Sequence, residues 1–313
     1  MVAERHPRFV PAKPRQGRHL QGSPAVPIAA SQNQVCPRQS ALDNPKVPRQ
    51  FPASKTMWQE RKKRFAPLPP DWKRLIQVLC PFYNRLPEPD RRELEDRSRV
   101  FLAEKHFEGC DELAITDEIR VGVAATACLL LLHRGLVGYP GLRTILVYPS
   151  SYFAPTTQPL GAGVLEESWQ ARAGESWQAG VVVLAWDEVC RGARHPETGN
   201  VVLHEFAHQL DYEDGGDANG IPALGNGDSF VTRRRRHAAW VAVMRAEYEQ
   251  LRAAVTAGQP GFLRAYGATN PAEFFAVATE VFFGDPVELQ RQHPALYAEL
   301  QWFYRQDPAQ WLR

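Results

Sequence analysis

Val201–Asp214 reads VVLHEFAHQLDYED, and its centre, His204-Glu205-Phe206-Ala207-His208, fits the pattern H-E-x-x-H. On a helix, residues four apart leave the same face one turn apart, so both imidazoles can grip one zinc ion. Glu205 projects from nearly the same side, where its carboxylate can hold and deprotonate a water at that metal. Flanking Val201, Val202, Leu203, Phe206, Ala207 and Leu210 make the helix apolar on most of its circumference, which predicts burial. Two surface histidines and a glutamate on a solvated helix are the plain alternative. Buried, these side chains need partners, and a metal is an efficient one.

A catalytic zinc takes three protein ligands and keeps one position open. One place for the third is just downstream, where a glycine three residues after His208 would turn the chain back; Asp211 and Asp214 stand at the relevant positions, so the turn is missing. The other is a later helix. Asn270-Pro271-Ala272-Glu273 opens one, with Asn at the N-cap and Pro at the first helical position. Glu273 is a candidate ligand there, although a carboxylate at that position also serves as the return half of a capping box. Glu280, seven residues on, shares the helix face and is the second candidate.

Elsewhere, Trp72–Tyr83 has helical spacing, a charged amphipathic helix follows Pro87 and Pro89 and ends near His106, and Glu118–Leu132 is a third, largely buried helix. Thr144–Tyr148 reads as a short strand, Gly161–Gly174 as a turn or hairpin, and Val181–Trp186 as a strong strand. Lying before the histidine helix, Val181–Trp186 is either an edge that pairs with an extended peptide or a buried structural strand. A glycine-rich loop spans 214–227, and Phe230–Ala257 is helical, with Arg233–Arg236 read as a solvated face.

The chain has 313 residues and five scattered cysteines without a C-x-x-C pair, which suits a reducing compartment. Cys80 and Cys128 read as core residues. Residues 1–56 are rich in Pro, Gln, Ser and Arg without helical or strand period, and are expected to be a disordered tail. That stretch holds nine Lys or Arg against two acids, so of the net +2 for the whole chain the remaining residues carry −5. A mildly acidic body argues against direct nucleic-acid binding. The longest apolar run, Val123–Leu132, falls short of the roughly 20 residues that span a bilayer, and no signal peptide is evident. A cytoplasmic protein is expected.

HEFAHQLD (204–211), NGIPAL (219–224) and AYGATNPAEFFAVATEVFF (265–283) together resemble the Mlc titration factor A family of bacterial zinc peptidases, from about Trp72 to the closing FYRQDP. The resemblance implies a gluzincin-like enzyme holding one zinc per chain, with the glutamate of the P-A-E motif, here Glu273, as third ligand. It also implies that Tyr266 stabilises the oxyanion and that Asp211 supports an imidazole or neighbouring backbone. It further implies aminopeptidase-like activity on peptides and binding of an Mlc-like transcriptional repressor that regulates the glucose phosphotransferase system. A non-catalytic protein that only sequesters such a repressor is the alternative. The expected fold is an α+β zincin-like domain over 57–313, a helical portion (57–140) packed on a catalytic portion (141–313).

Overall fold

The computed structural model describes Lys63 and residues 66–312, apart from 135–137, 162–163, 173, 178–179, 215 and 225–229. The expected tail, 1–56, and Cys36 lie outside the described residues, as does much of the loop before Phe230. All that is described falls within one compact unit, Leu42–Arg313.

Two helices open it: α1 (Pro70–Leu79) and α2 (Glu88–Glu104). α1 stops short of the predicted Tyr83 because Cys80 precedes Pro81, whose ring pushes the preceding residue out of the helical region; Cys80 sits at φ −108°, ψ 96°. α2 buries Leu94, Ser98, Phe101 and Leu102 along one side, so it is a core helix as much as a surface one. β1 (His106–Gly109) then leads to α3 (Asp117–Leu129), capped by Thr116 Oγ1, which accepts from Ile119 N. Every residue of α3 from Val121 on is buried.

β2 (Thr144–Tyr148) pairs parallel with β1 and with β6 (Val181–Ala185), and β5 (Gly174–Trp177) closes the four-stranded sheet antiparallel to β6, giving the order β1-β2-β6-β5. β3 (Tyr152–Gly161) and β4 (Val164–Arg172) form a separate antiparallel hairpin, where the sequence leads one to expect a turn or hairpin. The sheet order decides between the two readings of Val181–Trp186. β6 has a neighbour on each side and all five of its residues are buried, so it offers no edge; the edges are β1 and β5, and β5 is the one beside the cleft.

α4 (Trp186–Arg194) follows β6 directly, and then comes α5 (Val201–Asp211). Asn200 caps α5 by accepting from Leu203 N at 3.1 Å, and all eleven helical residues are buried. α6 (Phe230–Thr256), α7 (Pro271–Gly284), α8 (Pro286–Gln292) and α9 (Pro294–Tyr304) complete the fold, the last three each starting with Pro at a first-turn position. The architecture is a helix-rich α+β one around a small, mostly parallel sheet. Among the described residues no helix is long and apolar enough to cross a membrane.

α5 is held from behind by aromatic packing. Phe206 is fully buried, with ring centroids 4.8 Å from Tyr139 and 5.8 Å from Phe101. Phe206→Ala is expected to destabilise the protein by about 3–5 kcal/mol, since it empties a close-packed site behind the helix. Denaturant unfolding measures this, and a loss under about 1 kcal/mol would mean that the helix is anchored elsewhere.

Candidate metal centre

Position within α5 sends His204, Glu205 and His208 towards an open cleft of about 440 Å³, also lined by Gly174, Ser176, Tyr212, Tyr266 and Glu273. α7 packs against α5 and brings its carboxylates to this face. Asn270 Oδ1 caps α7 by accepting from Glu273 N at 3.0 Å. The Glu273 carboxylate turns instead to the histidines, with Oε2 2.9 Å from His204 Nε2 and 3.5 Å from His208 Nε2.

Glu280 occupies the other side of the same imidazole. Its Oε1 accepts from His204 Nδ1 at 2.7 Å and from the Arg264 guanidinium, while Oε2 accepts from Asn200 N at 2.6 Å. The seven-residue spacing along α7 therefore straddles the His204 ring, one carboxylate at each nitrogen. Glu280 also ties down the N-cap residue of α5, so one buried side chain fixes both the ring and the start of its helix. His208 Nδ1 has no hydrogen-bond partner among the described residues.

Three donor atoms from His204, His208 and Glu273 lie within 4.8 Å of one another. Tetrahedral zinc with bonds of about 2.0–2.1 Å separates its ligand atoms by roughly 3.3 Å, and the 2.9 and 3.5 Å separations bracket that value. With Nδ1 engaged by Glu280, His204 presents Nε2 to the shared point, the usual outer support of a metal-bound histidine. The donor set and its spacing fit a zinc ion.

Electrostatics point the same way. Burial disfavours the charged form of His204, but hydrogen bonds to Glu273 and Glu280 override it and raise the pKa to about 10. Burial likewise opposes ionisation of Glu273, yet the bonds from His204 and His208 hold its carboxyl well below the usual range. Glu205 is pushed up to about 7, first by burial and then by Glu273 and Glu280, against the pull of the two histidines. Two imidazoles and the Glu273 carboxylate thus meet at one point, a place where a divalent cation replaces the shared proton.

Tyr266 lies in a short 3-10 turn ahead of α7, its ring centroid 5.8 Å from that of His204 and its side chain more than half exposed to the cleft. Asp211 is buried and accepts from Gly220 N at 2.7 Å, so it supports neighbouring backbone rather than standing as a surface acid. Gly220 is well suited to that place. Its φ is +78°, a Cβ would lie 2.5 Å from Pro271 O, and its carbonyl accepts from Trp240 Nε1. The loop walling the cleft is thereby pinned to α5, α6 and the start of α7. Sequence reading missed β5 as a wall of the cleft, and with it Ser176, whose Oγ accepts from Gln209 Nε2 at 2.7 Å. The G-x-S spacing of Gly174 and Ser176, small residues on one strand face, was the available signal.

Comparison with known proteins finds relatives along most of the chain. The chain is 42% identical over 254 residues, covering 80% of it and 89% of the relative, to the "Uncharacterized protein slr2042" of Synechocystis sp.. It is 29% identical over 254 residues to the "Mlc titration factor A" of Yersinia pestis, covering 81% of this chain and 90% of that one, and equally similar to the protein of that name from Yersinia pseudotuberculosis. A family model described as glucose-regulated metallo-peptidase M90 matches residues 55–305. The chain, with its two histidines and a glutamate converging beside an open cleft, belongs to the M90 metallopeptidase family.

Proposed function

We propose that the protein is a zinc-dependent peptidase of gluzincin type, its catalytic part in 141–313, in which His204, His208 and Glu273 hold one zinc ion. The convergence of the three donor atoms beside an open cleft is the observation that carries this reading. Zinc held by these residues would supply polarisation of the scissile carbonyl and a lowered pKa, towards about 7, for a bound water. Glu205 takes the proton of the attacking water and returns it to the leaving amine, a role suited to a buried carboxyl pushed up to about 7. Glu280 keeps the Nδ1 proton of His204 in place. The edge of β5 pairs with an extended peptide by backbone hydrogen bonds, presenting the scissile bond to Glu205.

Tyr266 donates a hydrogen bond to the oxyanion. Tyr266→Phe is expected to lower kcat by about 10²-fold with KM nearly unchanged. An unaltered kcat in steady-state kinetics would leave Tyr266 as a side chain that merely lines the mouth of the cleft.

Cleavage at amino termini is the favoured mode. The family resemblance suggests this mode; the two carboxylates that line the cleft among the described residues, Glu205 and Glu273, already serve as the base and the metal ligand. Chromogenic amino-acid and peptide substrates with free or acetylated amino termini test this. Free amines should react at least about tenfold faster; equal rates would make the enzyme an endopeptidase.

The names of the Yersinia relatives favour a second role, binding of an Mlc-like transcriptional repressor. Capture of such a repressor from the host, retained in the Glu205→Gln variant, supports it, and failure to bind any purified Mlc-like repressor removes it. A cytoplasmic location goes with both roles.

A further inference from the structure

We propose that Gly174, at the start of β5, is a positioning residue for Glu205, and that its missing side chain is what lets the general base lie where it does. The inference rests on the peptidase reading above, in which Glu205 moves the proton.

Gly174 is a strand residue paired with Leu184, extended backbone that any residue adopts, so conformation does not call for glycine there. Space does. A Cβ on Gly174 would lie 2.6 Å from Glu205 Oε1, 2.8 Å from Glu205 Cγ and 2.8 Å from Val201 Cγ2. The strand backbone thus forms the wall on which the Glu205 carboxylate rests. Glu205 has no hydrogen bond among the described residues, and the strand backbone at Gly174 is the close contact that limits its carboxylate on this side.

The strand cannot step back to make room. Two residues along the same face, Ser176 Oγ accepts from Gln209 Nε2, in the last turn of α5, at 2.7 Å, and Ser176 O accepts weakly from the OH of Tyr212, just past that helix, at 3.4 Å. β5 is also paired to β6 from Gly174↔Leu184 to Trp177↔Val181. The soft element at this contact is the Glu205 side chain. A methyl group at 174 would move its carboxylate by roughly 0.5–1 Å to restore ordinary contact distance, and a shift of that size at a reacting group costs on the order of 10²-fold in rate. On the peptidase reading, the strand that pairs with the peptide backbone thus also sets the distance from the base to the water that attacks the scissile bond.

The test compares wild type, Gly174→Ala, Glu205→Asp and Gly174→Ala/Glu205→Asp for kcat, KM, zinc affinity against a chelator, and melting temperature. Gly174→Ala should lower kcat by about 10²-fold while KM and zinc affinity stay within about twofold. Aspartate, one methylene shorter, withdraws from the new methyl group. Adding Gly174→Ala to Glu205→Asp should then cost little more, a non-additivity expected of residues in contact. Gly174→Ala/Val201→Ala removes the helix contact and keeps the Glu205 contact. It serves if Gly174→Ala melts early, and the same kcat loss is expected in it. Wild-type turnover in Gly174→Ala, an equal factor in both Glu205 backgrounds, or a loss confined to KM or zinc would each overturn the inference. Glu205→Gln separates the two readings: if it abolishes turnover while Gly174→Ala is fully active, only the Gly174 inference falls, whereas turnover that survives Glu205→Gln removes both.

Discussion

Glu205→Gln is expected to leave zinc at one per chain and to lower peptide hydrolysis by about 10²- to 10⁴-fold, the range general acid–base catalysis contributes. The reasoning is geometric. Glu205 faces the cleft between His204 and His208 but is not one of the three donors that converge, so neutralising it removes a proton acceptor and no ligand. The amide is nearly isosteric with the carboxyl, so packing against Gly174 is preserved. Metal analysis and steady-state kinetics on the two proteins side by side measure both halves. Unaltered turnover in Glu205→Gln would sink the mechanism; zinc lost from that variant would mean that Glu205 is a ligand.

The second large effect concerns the two glutamates of α7. Glu273→Ala deletes the carboxylate whose oxygen lies 2.9 and 3.5 Å from the two imidazoles, leaving two donors for the metal. Glu280→Gln keeps the side chain's shape and alters only the support of His204 Nδ1, Asn200 N and Arg264. Loss of an outer hydrogen-bond partner typically weakens metal binding by about 10- to 100-fold. Glu273→Ala is expected to exceed that range and to retain no zinc through a desalting column, while Glu280→Gln retains it. Chelator competition gives the two affinities, and the reverse order would move the ligand from Glu273 to Glu280.

What could be read from the residues follows from how local each signal is. α5 was legible because its apolar flank and the i, i+4 histidines lie within eleven residues, and α7 because Asn270-Pro271 announces a capped start. β2 and β6 were legible as runs of β-branched residues. β1, His106-Phe107-Glu108-Gly109, is short and half polar, and β5, Gly174-Glu175-Ser176-Trp177, lacks the branched residues of a strand; both form because the sheet supplies a neighbour. Which strand holds the edge depends on sheet order, a property no single stretch carries.

The site divides in the same way. Spacing placed His204, Glu205 and His208 on one face and put Glu273 and Glu280 on another. Only the packing of α7 against α5 sends one glutamate to Nε2 and the other to Nδ1 of the same ring. Gly174 was invisible as a functional residue because its contribution is an absence of atoms opposite a side chain 31 positions away.

The most direct test of the central claim, a metal-dependent peptidase built on His204, His208 and Glu273, is removal and return of the metal. The purified protein is stripped with a chelator and assayed on free-amine chromogenic substrates. Zinc is then titrated back in step with turnover. Activity that falls to background and returns in full at one equivalent of zinc per chain, in the wild type and not in Glu273→Ala, is the expected result. Turnover that persists in the stripped protein, or that zinc restores equally in Glu273→Ala, would contradict it.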